Sequence, residues 1–366
     1  MPRSSSGRRS MLPLTNLIGR LGGLTVVLAG LALCAIVQQE VDGRPMVPAV
    51  RQPSAAVVRT HPAAKVSRPP DTAPLIRQVR ATVTVQWGAL VRSAFGAQEV
   101  PQPDVHLVRI GQAGDWAFGT CAVPPAPGMD AMPHASVFVA RRAGKTWRIA
   151  LAGTRDFAQF LRQAPAAVIP ADQRPSLERY GTTQSGNPPA GLALPWRAGQ
   201  SWTVQSMADM SGLRFAGGDG QVLASGTGRL YRLCARSPGR AMILLIHPDG
   251  TATEYYQVAD ITGVKDGAPV QQGEYLGRVS TDRPCGGPSA QGQATASFTL
   301  LSGYRAVSLD GARIGGWTLH TDEDRFYADR SGMRVDSGNP LLNFGTDPAR
   351  SSTPHPPSAT SAPRSS

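Results

Sequence analysis

Residues 266–277 read Asp266-Gly267-Ala268-Pro269-Val270-Gln271-Gln272-Gly273-Glu274-Tyr275-Leu276-Gly277. The Asp-Gly at its front and the Gly273 in its middle are turn signals, because glycine adopts positive φ without steric cost. The stretch reads as short strand punctuated by glycine turns. The same punctuation recurs on both sides, at Gly217-Gly218-Asp219-Gly220, Ser225-Gly226-Thr227-Gly228, Asp249-Gly250 and Gly286-Gly287. Regular short strands with such turns predict an all-β, antiparallel sandwich or barrel over residues 194–345.

Upstream the pattern changes. Ile76, Val79, Val83, Trp87, Leu90 and Ala94 recur at helical spacing, predicting a helix over 75–95. Strand-like runs follow at Val105–Ile110, Trp116–Ala122, Ser136–Arg141 and Thr146–Leu151, then a short helix over Thr154–Gln163. Residues 74–166 are therefore expected to form a small α+β domain, a helix plus an antiparallel sheet. Residues 167–193 are rich in Pro, Ala, Gly and Arg and read as a connector. Residues 39–73 hold six prolines among small and basic residues, the composition of an extended linker. Residues 346–366 form a Ser/Thr/Pro tail expected to be disordered.

The chain has 366 residues and a formal net charge of +12, with much of the basic excess outside the folded segments. No stretch interleaves basic and aromatic residues as a single-strand binder would, so nucleic acid is not an expected partner. Leu21–Val37 is an unbroken run of apolar and small residues behind Arg3, Arg8, Arg9 and Arg20. It is close to the length that spans a bilayer, and the arginines would keep the N-terminus in the cytoplasm. No small-x-small cleavage site follows it, so residues 1–38 read as a cytoplasmic leader and an uncleaved membrane anchor. The bulk is then extracytoplasmic; cleavage would make the chain secreted instead. Of the four cysteines, Cys234 and Cys285 share the second folded segment. In an oxidising compartment they could pair, or both could be buried thiols; spacing alone does not choose.

Several segments of the second domain stand in the order found in one enzyme family. Leu194-Pro195-Trp196 with Gly199-Gln200-Ser201-Trp202, Phe215-Ala216-Gly217-Gly218-Asp219-Gly220, Tyr231-Arg232-Leu233-Cys234, the 266–277 hairpin and Pro284-Cys285-Gly286-Gly287 are five of them. Asp310-Gly311-Ala312-Arg313-Ile314-Gly315-Gly316-Trp317 and Leu341-Leu342-Asn343-Phe344-Gly345 complete the series. Together they resemble the β-lytic, LasA-like branch of the lysostaphin/LytM zinc endopeptidases. The resemblance implies an antiparallel β-sandwich with a duplicated hybrid motif, a groove for peptidoglycan cross-link peptides and a Cys234–Cys285 disulfide. It also implies a zinc ion held by two His and one Asp, with water in the fourth position.

The positions that would carry this chemistry hold other residues. The family's aspartate corresponds to Arg214, its Tyr-His-Leu histidine to Gln257, and its His-x-His pair to Thr295 and Ser297. The loop that would supply the first His, residues 203–212, contains none. Asp209, His247 and His320 are available, but nothing in their spacing suggests that they converge. A guanidinium at 214 repels Zn²⁺. The expectation is a pseudo-peptidase without catalytic residues, metal or cofactor, which binds peptidoglycan or regulates a wall hydrolase or division partner. Arg214, Tyr255 and Tyr256 are its candidate groove residues. The alternatives are an active zinc endopeptidase with an atypical site and a structural interaction module at the cell surface.

Overall fold

The computed structural model describes residues 71–345, apart from 97–98, 128, 130, 184–185, 208–211, 287–291 and 323–324. The expected leader and anchor (1–38), all but the last residues of the linker (39–73) and the tail (346–366) lie outside the described residues. Among the described residues, no helix is long and apolar enough to cross a membrane.

Helix α1 (Ala73–Phe95) buries Leu75, Val79, Val83, Val91 and Phe95, one face set by four-residue steps. The expected Ile76 and Trp87 are half-buried and Leu90 and Ala94 are exposed, because the buried stripe lies about one residue round from the expected one. It starts with a proline in its first turn, where no backbone donor is lost, and ends at Gly96 with φ 56°. Four strands follow as an antiparallel meander: β1 (Asp104–Ile110), β2 (Trp116–Val123), β3 (His134–Ala143) and β4 (Thr146–Leu151). Helix α2 (Arg155–Gln163) presents Phe157, Phe160 and Leu161 inward. The segment read as a connector contains a further helix, α3 (Arg174–Thr182), which buries Leu177 and Tyr180.

The remaining strands are β5 (Ser201–Ser206), β6 (Leu213–Gly217), β7 (Gln221–Leu223), β8 (Gly228–Ser237), β9 (Arg240–Ile246), β10 (Ala252–Ala259), β11 (Pro269–Val270), β12 (Tyr275–Val279), β13 (Ala296–Ser302), β14 (Arg305–Ala306), β15 (Arg313–Ile314), β16 (Trp317–Asp322), β17 (Arg325–Arg330), β18 (Met333–Asp336) and β19 (Pro340–Leu342). An 11-stranded sheet runs in the order β11-β8-β9-β10-β13-β6-β5-β19, with β12 bridging β10 to β7 and β14 pairing with β13. Strands β15 to β18 form a separate four-stranded meander. All the ladders are antiparallel, as the turn spacing predicts.

Side chains alternate across the large sheet. One face carries Val204, Leu213, Phe215, Leu245, Tyr255 and Phe298, which pack with Trp317, Leu319 and Phe326 of the small meander. The other face carries Tyr231, Leu233, Leu244, Tyr256 and Leu301, which pack with Phe118, Val137, Phe157 and Tyr180 of the N-terminal half. Polar contacts fix that second junction. Thr120 Oγ1 donates to Arg232 O at 2.6 Å, and Arg109 donates to Gln173 Oε1 at 2.9 Å and to Asp266 O at 2.8 Å. Helix α3 comes so close to two turns that a Cβ on Gly250 would lie 2.6 Å from the Arg179 carbonyl carbon, and one on Gly303 would lie 2.4 Å from Thr183 O. Both glycines also have positive φ, so any other residue would be strained as well as crowded.

Candidate functional site

The four site positions inferred from the sequence lie on three neighbouring strands and the approach to one of them. Arg214 on β6 pairs in register with Ser297 on β13, and Ser297 pairs with Tyr256 on β10. Register partners share a face, and Thr295, two residues before Ser297, shares it too. Thr295 stands just ahead of β13, where it exchanges backbone hydrogen bonds with Ser280 at 3.2 and 3.3 Å.

Gln257 reaches the group by a different route. The β9–β10 ladder shifts register between Tyr255 and Val258, and Gln257 takes φ 59° in that bulge. Its carbonyl accepts from Ser280 N at 2.9 Å. Its side-chain Oε1 accepts from Ser297 Oγ at 3.0 Å. Ser297 is 0% exposed and Gln257 3%, so this pair is sealed. Arg214 is half-buried. Desolvation, and after it the charge of Arg283, hold its pKa below the ordinary guanidinium value.

The two tyrosines named as groove residues separate. Tyr256 stands beside Ser297, buried, with its hydroxyl close to the Cys285 backbone. Tyr255 lies on the opposite face, in the core with Phe298, and its hydroxyl accepts from Ser225 N at 2.8 Å. Adjacent strand residues point to opposite sides, so both cannot line one groove; Tyr255 is a core residue. Cys234 and Cys285 are bonded at an S–S distance of 2.15 Å, and both belong to the cluster on the site face.

Zinc does not fit this donor set. Arg, Gln, Thr and Ser offer no imidazole, thiolate or carboxylate, the groups that bind it. Among the described residues, no group of three or more His, Cys, Asp or Glu could hold a metal ion. His247 is buried, with Nδ1 2.9 Å from Thr227 O, and burial lowers its pKa. His320 stacks on Tyr327 in the small meander with ring centroids 4.7 Å apart. Asp209 lies outside the described residues.

Sequence reasoning missed what covers this face. Glu254, one register position from the site on β10, is buried opposite Thr299, and burial pushes its pKa up to about 8. Tyr180 of α3 lies within electrostatic reach of Glu254, with its hydroxyl against that of Ser136. Arg283 Nη1 donates to Met129 O at 3.2 Å, tying the segment beside the disulfide to the N-terminal half. The available signal was the i, i+3 spacing of Leu177 and Tyr180 inside the apparent connector.

No protein-family model matches the chain, and no curated protein matches it. Among solved structures it is similar to pseudoalterin, an M23 metalloprotease from the deep sea, at 27% identity over 41% of this chain and 97% of that one, with a TM-score of 0.36. It is similar to the catalytic domain of the antimicrobial peptidase lysostaphin from Staphylococcus simulans at 19% identity over 30% of this chain and 81% of that one, TM-score 0.22. A third similarity is to the SpoIIQ–SpoIIIAH pore-forming complex, at 16% identity over 32% and 87% of the two chains, TM-score 0.24. The solved structures it resembles thus include M23 and lysostaphin-type peptidases, each matched over part of the chain.

Proposed function

We propose that this chain is a catalytically silent, peptidase-like protein of the cell envelope that acts by binding, with a wall hydrolase or a division protein as its partner. The observation that carries the reading is the sealed Ser297–Gln257 hydrogen bond, beside the Arg214 guanidinium, at the positions where zinc ligands are expected. A buried serine and glutamine bonded to each other present neutral oxygens, poor ligands for zinc, and their burial leaves no room for an activated water. The neighbouring packing of Tyr256 with the N-terminal half supports a partner that docks on an outer surface rather than a peptide threaded through the site. The Arg-flanked apolar run supports an extracytoplasmic setting, held by that segment as a membrane anchor.

Elemental analysis of the purified protein should find no stoichiometric zinc, and glycine-containing cross-link peptides should survive incubation with it. Near-equimolar zinc together with chelator-sensitive hydrolysis would overturn the proposal. Co-purification should recover a hydrolase or division protein, while isolated sacculi should not retain the chain. Retention on sacculi that Arg214→Ala abolishes would move the binding to peptidoglycan itself.

A further inference from the structure

The outer side of α1 is a second feature that the peptidase-like site does not use. Arg77 on its second turn, Ala81 one turn on, and Lys145 and Trp147 from the β3–β4 hairpin line a shallow concavity of about 360 Å³. Arg77 and Lys145 are exposed, and among the described residues neither has an ion-pair or hydrogen-bond partner. Arg142, at the same hairpin tip, is exposed and donates through Nε to Gly144 O at 3.2 Å. Helix α1 contains Arg77, Arg80 and Arg92 and no acidic residue. Arg80 is turned away, with its Nε on Pro103 O. The nearest acid on the helix side is Asp71, whose carboxylate is engaged by Ala73 N at 3.0 Å.

Between Arg77 and Arg92, Val85 stands 83% exposed. Gln78, Ala81, Val85, Ala89 and Arg92 follow one another at helical i+3 and i+4 spacing, so they form one ridge. That ridge ends on one cation, Arg92, and Arg77 lies less than about a quarter turn from Val85 around the axis. Basic side chains therefore flank an exposed apolar one on the outer side of α1, a combination suited to a membrane interface.

We propose that this ridge, with the β3–β4 hairpin tip, docks on an anionic lipid surface. The phosphate of a headgroup would sit between Arg77 and Lys145, beside the half-buried Trp147, and Val85 would enter the headgroup–acyl boundary. A soluble polyanion would use the cations but gain nothing from Val85, which is why a lipid surface is the better fit. Each basic residue near such a surface contributes about 1 kcal/mol, roughly fivefold in the ratio of docked to undocked protein.

The test uses the full chain in lipid nanodiscs, in a Cys34→Ala background, with an environment-sensitive fluorophore on Val85→Cys. Emission should shift to the blue in discs containing phosphatidylglycerol, but not in neutral phosphatidylcholine discs. The docked ratio should fall about fivefold with Arg77→Gln or Lys145→Gln, and not with Arg334→Gln in the small meander. Circular dichroism should be the same for all variants, since each substituted residue is exposed. Equal emission in both kinds of disc, or a shift that survives both Arg77→Gln and Lys145→Gln, overturns the proposal. So does a shift produced in neutral discs by soluble polyphosphate, which would assign the face to a polymer.

Discussion

On one face of the large sheet, Trp202, Phe215, Tyr255 and Phe298 meet Trp317 and Phe326, and the polar atoms of the rings find partners. Trp202 Nε1 donates to Gln200 Oε1 at 2.9 Å, Trp317 Nε1 donates to Leu342 O at 2.9 Å, and the Tyr255 hydroxyl accepts from Ser225 N. On the other face, which carries Arg214 and Ser297, the cover is supplied by the N-terminal half. There Thr299 Oγ1 is buried without a partner, and the buried hydroxyls of Tyr180 and Ser136 have only each other. The first face is specified by shape. The second keeps the polar side chains that a binding groove would need, and they now lie beneath another part of the same chain. Buried polar groups without partners are costly, so the second face is where the molecule's stability is most open to change.

The largest expected effect follows from Glu254. Its carboxyl stays protonated in the folded chain up to about pH 8, against an ordinary value of 4.5. Between these values the unfolded chain has released a proton that the folded chain retains. The contribution of this group to stability is therefore greatest at low pH and is lost as pH rises, by on the order of 1.4 kcal/mol per unit over that window. Glu254→Gln should flatten this dependence and raise the denaturation midpoint at pH 8. Parallel pH profiles for the two proteins would break the contrast between the faces.

On the shape-specified face, Phe298→Ala should cost about 3–5 kcal/mol in chemical denaturation, because a fully enclosed ring leaves a cavity. A loss under about 1 kcal/mol would mean that this face is also loosely specified. Removing the Cys234–Cys285 bond, which closes a loop with a sequence separation of 51, should cost up to about 4 kcal/mol. Thiol labelling of the denatured, unreduced protein should leave both cysteines unmodified. The smallest effect is expected at Thr299→Val. It removes a buried hydroxyl without a partner and keeps the shape, so stability should be unchanged or slightly higher. A loss of about 2 kcal/mol would reveal a bond that this face depends on.

Much of the fold is legible in the residues because local rules and burial agree there. The Trp116–Ala122 run becomes β2 with one residue added, and α1 forms over the expected span, although of its expected face only Val79 and Val83 are buried. Asp266, at the head of the stretch quoted first, accepts from Arg232 N at 2.7 Å and holds the turn to β8; the stretch is no hairpin, since β11 pairs with β8 and β12 with β10 and β7. Arg214, Thr295 and Ser297 gather as the motif order implies, because strand register carries them there. Three things were harder to read. Prolines and small residues mask the i, i+3 pair of α3. The direction of Tyr255 against Tyr256 depends on which face meets the larger core, although strand alternation already forbids both from lining one groove. The covering of the site face depends on contacts between segments far apart in the chain, such as Thr120 with Arg232, and no local pattern encodes them.

The left-handed backbone of Gln257 is set by its neighbours more than by its own side chain. Its bulge is held from outside, by the pairing of β10 with β9, β12 and β13 and by the Ser280 N–H on its carbonyl. One codon can replace the side chain, but flattening the bulge would require four strands to be re-registered together. A positive φ costs a residue with a Cβ about 1–2 kcal/mol, so the neighbouring strands, not the side chain, keep Gln257 in this conformation. Side chains on such a bulge can be exchanged one at a time, while the contour of the backbone beneath them stays fixed.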